Sequence, residues 1–134
     1  MAVLTDNKSV NFQDGRVKRY RVADNQEIFE GAMVCINSSG RALPAGAAAG
    51  NTFVGVSQDY VKSDAAGNTF VTVLTEGEFE VVSSALTQGD TDSLAYATDD
   101  QTVNKTSGSN RPLVGRFTEV ISATRARVKI WRNA

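Results

Sequence analysis

The residue types that could do chemistry are few, and their spacing does not favour catalysis. The chain has no histidine. That removes the commonest general base and zinc ligand, and with them any Ser–His or Cys–His nucleophile. The single cysteine, Cys35, has no internal disulfide partner. It lies in the apolar run Met33-Val34-Cys35-Ile36, which predicts a small buried hydrophobe rather than a reactive thiol and suits assembly in a reducing cytosol. Glu76, Glu78 and Glu80 are spaced by two, which puts them on one face of a strand. A carboxylate pair there could be imagined as a glycosidase acid and base, but a solvated strand face accounts for the same spacing. Asp90, Asp92, Asp99 and Asp100 fall in turn-like sequence; they lack the EF-hand pattern, and turn chemistry explains them. No GxxxxGK[ST] loop is present, and no GxGxxG joins a strand to a helix. The expectation is a protein with no catalytic residues, no metal and no cofactor.

The basic residues form two groups: Lys18, Arg19 and Arg21 near one end, and Arg125, Arg127, Lys129 and Arg132 near the other. With Tyr20 and Trp131 beside them they could build a cationic, aromatic platform for single-stranded nucleic acid. Against that, 14 Lys+Arg meet 15 Asp+Glu, a net charge of −1, so the chain as a whole has no long-range attraction for nucleic acid or anionic membrane. First and last strands are often sheet edges, where Lys and Arg block unwanted pairing. Arg19, Arg21, Arg125, Arg127 and Lys129 are therefore read first as a solvated or protein-contacting face. A small nucleic-acid- or ligand-binding β-module is the alternative.

The elements that must carry these residues are short strands. At 134 residues the chain suits one domain that buries about two-thirds of its unfolded surface. No apolar run approaches the ~20 residues of a membrane helix, and the N-terminus does not read as a signal peptide. Residues 1–16 read as a polar, extended arm ending at Asp14-Gly15, and 17–134 as a single β domain. Strands are expected over 17–22, 32–36, 41–43, 52–57 (with 58–61 as a continuation), 69–74, 78–82, 94–97, 113–121 and 125–131. Asn37-Ser38-Ser39-Gly40 and Ser122-Ala123-Thr124 read as hairpin loops, and Thr75-Glu76-Gly77 as the turn joining two paired strands. Residues 44–50 and 98–110 read as loops, 83–88 as the one short helix, and no solenoid-type repeat is visible. The fold class is all-β: a small compact barrel or sandwich with an N-terminal arm.

Residues 28–82 resemble the head decoration (cement) proteins of tailed phages, of the lambda type and its small relatives. The features are Gly31-Ala32-Met33-Val34-Cys35-Ile36 leading into Asn37-Ser38-Ser39-Gly40-Arg41-Ala42-Leu43, then an Ala/Gly-rich loop and Phe53-Val54-Gly55-Val56-Ser57, similar to the family's Val-Gly-Val strand. Phe70-Val71-Thr72-Val73-Leu74 and Glu76-Gly77-Glu78-Phe79-Glu80-Val81 follow, the latter similar to its Gly-x-Phe segment. Gly89-Asp90, Leu94-Ala95-Tyr96, Val114-Gly115 and the terminal Val-x-Ile strand resemble cement proteins beyond the lambda type. The resemblance implies a structural, non-enzymatic protein assembled in the host cytoplasm and carried on the outer surface of the virion. There it would bind the major capsid protein of an expanded head, usually as a trimer and in some relatives as a dimer, and clamp coat subunits against the pressure of packaged DNA.

An arm gives such binding a physical route, because an extended segment can add a strand to an exposed sheet edge. Ordering ten residues costs on the order of 10–20 kcal/mol, more than backbone hydrogen bonds of ~1 kcal/mol each return. Apolar anchors at roughly 1.5–3 kcal/mol apiece are needed. Val3, Leu4, Val10 and Phe12 are those available, and several arms in one oligomer would multiply the avidity.

Overall fold

The computed structural model describes residues 16–65 and 67–130; the expected arm anchors Val3, Leu4, Val10 and Phe12, and also Trp131 and Arg132, lie outside them. Twelve strands follow in order: β1 (Val17–Arg21), β2 (Glu27–Ile28), β3 (Met33–Ile36), β4 (Ala42–Pro44), β5 (Thr52–Ser57), β6 (Val61–Lys62), β7 (Phe70–Leu74), β8 (Gly77–Val82), β9 (Leu94–Ala97), β10 (Val103–Asn104), β11 (Leu113–Val120) and β12 (Arg125–Ile130). The described residues are nearly all β, as the sequence predicts.

The strands make two antiparallel five-stranded sheets, ordered β1-β7-β5-β3-β4 and β10-β9-β11-β12-β8, and a two-stranded ribbon, β2-β6. Side chains alternate across a strand, and two apolar clusters divide accordingly. Val34, Ala42, Val71 and Val73 of the first sheet pack with Ile28 of the ribbon. Met33, Cys35 and Val56, from the opposite face of that sheet, pack with Phe117, Val120, Val128 and Ile130 of the second. The first sheet is thus the middle layer, which is why β3 reads as an unbroken apolar run. The second sheet keeps one face in solvent: Ala126, Val128 and Ile130 are buried, while Arg125, Arg127 and Lys129 are exposed, the alternation expected of the last strand.

Several local expectations are corrected. Thr75-Glu76-Gly77 does not close a hairpin. Both sides of β7 are occupied, by β1 and β5, so β8 crosses to the second sheet and pairs with β12. That makes β12 an interior strand rather than an edge. No helix forms over 83–88, because the Ser83 and Leu86 amides donate to Thr124 and Ala123 of the β11–β12 loop and Ala85 takes a positive φ of 55°. A single 3-10 turn follows at Gln88–Asp90. The 98–110 segment contains β10, which buries Val103 to 1% exposure. Residues 58–61 do not prolong β5; the chain bends at Ser57, whose Oγ donates to the Asp59 carbonyl at 2.6 Å, and Val61 enters the ribbon.

The structure also shows a repeat that the sequence hides. Strands β1, β3, β4, β5 and β7 in the first sheet and β8, β9, β10, β11 and β12 in the second have the same order: first, fifth, fourth, second, third. In each fourth strand a valine before a glycine bulges out of register: Val54 opposite Val34/Cys35, and Val114 opposite Ala95/Tyr96. In each, the glycine abuts the backbone of the fifth strand. A Cβ on Gly55 would lie 2.2 Å from the Leu74 carbonyl oxygen, and one on Gly115 would lie 2.0 Å from that of Lys129. Each sheet also curls so that its first strand meets its third through a parallel bridge, Val22 to Ala42 and Val82 to Thr102.

These contacts leave no room for a methyl group, since the neighbour is main chain and cannot rotate away. Gly115→Ala should destabilise the protein by roughly 2–4 kcal/mol in urea titration. Gly46→Ala, with nothing within 4 Å of the added carbon, should change stability by less than about 0.5 kcal/mol.

Candidate interaction surfaces

The expected basic face is split between two sheets. Arg19 and Arg21 lie on β1, an edge of the first sheet; Arg125, Arg127 and Lys129 lie on β12, inside the second. The β12 row sits among carboxylates: Arg125 pairs with Glu80, and Arg127 with Glu119 at 3.0 Å. Lys129 is directly opposite Glu78. Such cross-strand pairs fix side chains on a solvated face and contribute little individually.

The β1 row differs. Phe70 is directly opposite Arg21, and the Arg19 and Arg21 guanidinium carbons sit 4.6 Å and 5.0 Å from its ring centroid. Lys18 lies 4.8 Å from the Tyr20 ring centroid. Arg21 also donates to the Gly67 carbonyl. These are cation–π contacts at a solvent-exposed site, around a Phe70 ring that itself stays exposed. No carboxylate among the described residues forms an ion pair with Lys18, Arg19 or Arg21.

The acidic candidates separate too. Glu78 and Glu80 share the exposed face of β8, with Phe79 and Val81 directed inward, as their alternation predicts. Asp90 accepts from the Thr87 amide at 2.8 Å and from Lys105 Nζ at 3.2 Å. The Thr87 amide, ahead of the Lys105 charge, holds its carboxyl below the usual range. Asp99 accepts from the Gln101 and Thr102 amides at 2.9 and 2.8 Å, which is the turn role expected of it. Among the described residues, no group of three His, Cys, Asp or Glu is placed to hold a metal.

One surface feature is not legible in the sequence. Phe29 and Tyr60 are both more than half exposed, with ring centroids 5.5 Å apart and planes tilted by 46°. The Tyr60 hydroxyl donates to Glu27 at 2.5 Å, and that bond raises its pKa. Two adjoining depressions run from Phe29, Glu30 and Ala32 past Gly31, Asp100 and Gln101 to Met33, Phe79 and Val82. Exposed aromatics give no periodic signal, and only the pairing of β2 with β6 brings these two together.

Cys35 is buried, and burial pushes its thiol up to about 11. The reactive thiolate is therefore scarce at neutral pH. A thiol reagent should leave the native protein unmodified at pH 7 and label one site per chain once denaturant unfolds it. No family model matches the chain, and no curated protein matches it.

Proposed function

We propose that this chain is a structural decoration protein of a tailed-phage head, which binds the outer surface of the shell as an oligomer and holds neighbouring coat subunits together. The observation that carries this reading is the pattern of glycines and strands over residues 28–82, which resembles phage cement proteins. Two glycines of that pattern have defined mechanical roles. Gly40, at a φ of +76°, closes the β3–β4 hairpin, and Gly55 permits the close approach of β5 and β7. A body with two covered layers and a largely charged outer sheet suits a clamp, which needs a rigid shape more than a reactive group. In this reading the segment before β1 supplies Val3, Leu4, Val10 and Phe12 as anchors on the coat protein.

The test is decoration of particles. Protein lacking residues 1–12 should fold with an unchanged thermal midpoint and fail to sediment with expanded heads from the same source, whereas intact protein co-sediments. Co-sedimentation of the truncated form at wild-type occupancy would end the arm reading. Absence of the intact protein from purified virions would end the whole proposal.

The Arg19–Phe70–Arg21 cluster supports the alternative, a module for single-stranded nucleic acid. That reading requires a fluorescent oligothymidine to bind with an affinity that falls steeply as salt rises. With a net charge of −1 and no wider basic surface around this cluster among the described residues, no such binding is expected.

A further inference from the structure

One margin of the second sheet is an open edge. In β8 the Ser83 amide donates to Thr124 O, so odd-numbered residues bond to β12. By the antiparallel alternation the backbone N–H and C=O of Glu78 and Glu80 point the other way. No strand among the described residues lies on that side; the edge closes only at Val82, whose amide meets Gln101 O. Beside it runs the trough described above, with depressions of about 360 and 380 Å³. Phe79 to Val82 form one wall, Met33 and Val56 add apolar surface, and Val82 remains 43% exposed. Three carboxylates, Glu30, Glu80 and Asp100, border the trough, and among the described residues no lysine or arginine does. Glu30, Glu78 and Asp100 form no ion pair among the described residues.

We propose that this edge and trough bind an extended segment of another protein in which basic and apolar residues alternate, added beside β8 as a sixth strand of the five-stranded sheet. In such an addition the main-chain groups of the edge supply affinity and the alternate side chains supply specificity. Successive residues of the segment face opposite sides of the sheet. Those on the outer side lie across from Glu78 and Glu80, which selects lysine or arginine; those on the inner side lie over the trough, which selects apolar residues. The chain shows the same preference on the other side of β8. There β12, Arg125-Ala126-Arg127-Val128-Lys129-Ile130, alternates in this way and pairs in register, Lys129 opposite Glu78 and Arg127 opposite Glu80. Further along the trough, Glu30 and Asp100 offer a partner to one more basic side chain, and Phe29 stands exposed beside them for its aliphatic stem. An acidic segment would instead set like charges opposite each other. The inference stands on β8 and the trough and does not depend on shell binding.

Fluorescence anisotropy with the full-length chain tests it, the probe being a labelled peptide that copies β12, Arg-Ala-Arg-Val-Lys-Ile. The probe should bind saturably at one site per chain, and a version with glutamate at each basic position should not bind. Glu30→Gln with Glu78→Gln and Asp100→Asn should weaken binding about tenfold at an unchanged thermal midpoint. Main-chain pairing makes a second demand. Methylating the backbone nitrogens of the basic residues and methylating those of the apolar residues must act unequally, because only one set faces β8: one peptide loses binding and the other keeps it. Equal effects of the two methylations, equal binding of the glutamate peptide, no binding at all, or a folded triple variant that binds like wild type would each overturn the proposal. If the triple variant loses its cooperative thermal transition, the two methylated peptides decide the matter on the wild-type chain. Binding that appears only once a wild-type oligomer is dissociated would assign the edge to a second copy and overturn the partner named here. Peptide binding by a chain that does not decorate heads would leave this inference standing and remove the shell reading.

Discussion

The first sheet is buried on both faces along β3 and the end of β5, and most of the architecture follows from that constraint. A sheet with two apolar faces needs two covers. One is the β2-β6 ribbon, held by Ile28 and Val61; the other is the whole second sheet, packed on Met33, Cys35, Phe53 and Val56. This explains why β8 leaves the first sheet although only Thr75 and Glu76 separate it from β7. A β7–β8 hairpin would need a free side of β7 and would leave the lower cover unbuilt. It also explains why the second sheet can keep a charged outer face: its apolar side is already spent on the middle layer.

The two glycine bulges serve the same end. Each sheet must curl far enough for its first strand to touch its third, and a bulge adds local twist and bend. Placing the bulge where the next strand's carbonyl oxygen fills the space a side chain would take fixes the direction of the curl. The repeat of this device in both halves, with the same strand order, makes the molecule two versions of one design. They differ in how the concave side is filled: Ile28 of the ribbon enters the first, and Phe117 of its own fourth strand enters the second.

What the sequence revealed and concealed divides along the same physics. Strands that are amphipathic or β-branched, such as β5, β7, β9 and β12, were legible within a residue, because period-two burial is a local property. The destination of β8 was not, since the choice between two sheets depends on which side of β7 is free. The helix expected at 83–88 failed for a similar reason: Ser83 and Leu86 give their amides to a loop some forty residues away in sequence. The repeat escaped notice because the halves share topology and the Val-Gly bulge while their facing side chains differ. Met33, Cys35, Phe53 and Val56 occupy the register positions of Leu94, Tyr96, Leu113 and Arg116. Among the site residues, the exposure of Arg125, Arg127 and Lys129 was readable from alternation, but their acidic neighbours on β8 and β11 were not.

Arg16 and Ile130 line one shallow depression together with Glu76, Gly77 and Lys129. The described chain therefore begins and ends at a single pole of the body. A short covalent bridge between residues 16 and 130 would therefore close the body into a loop without distorting a strand.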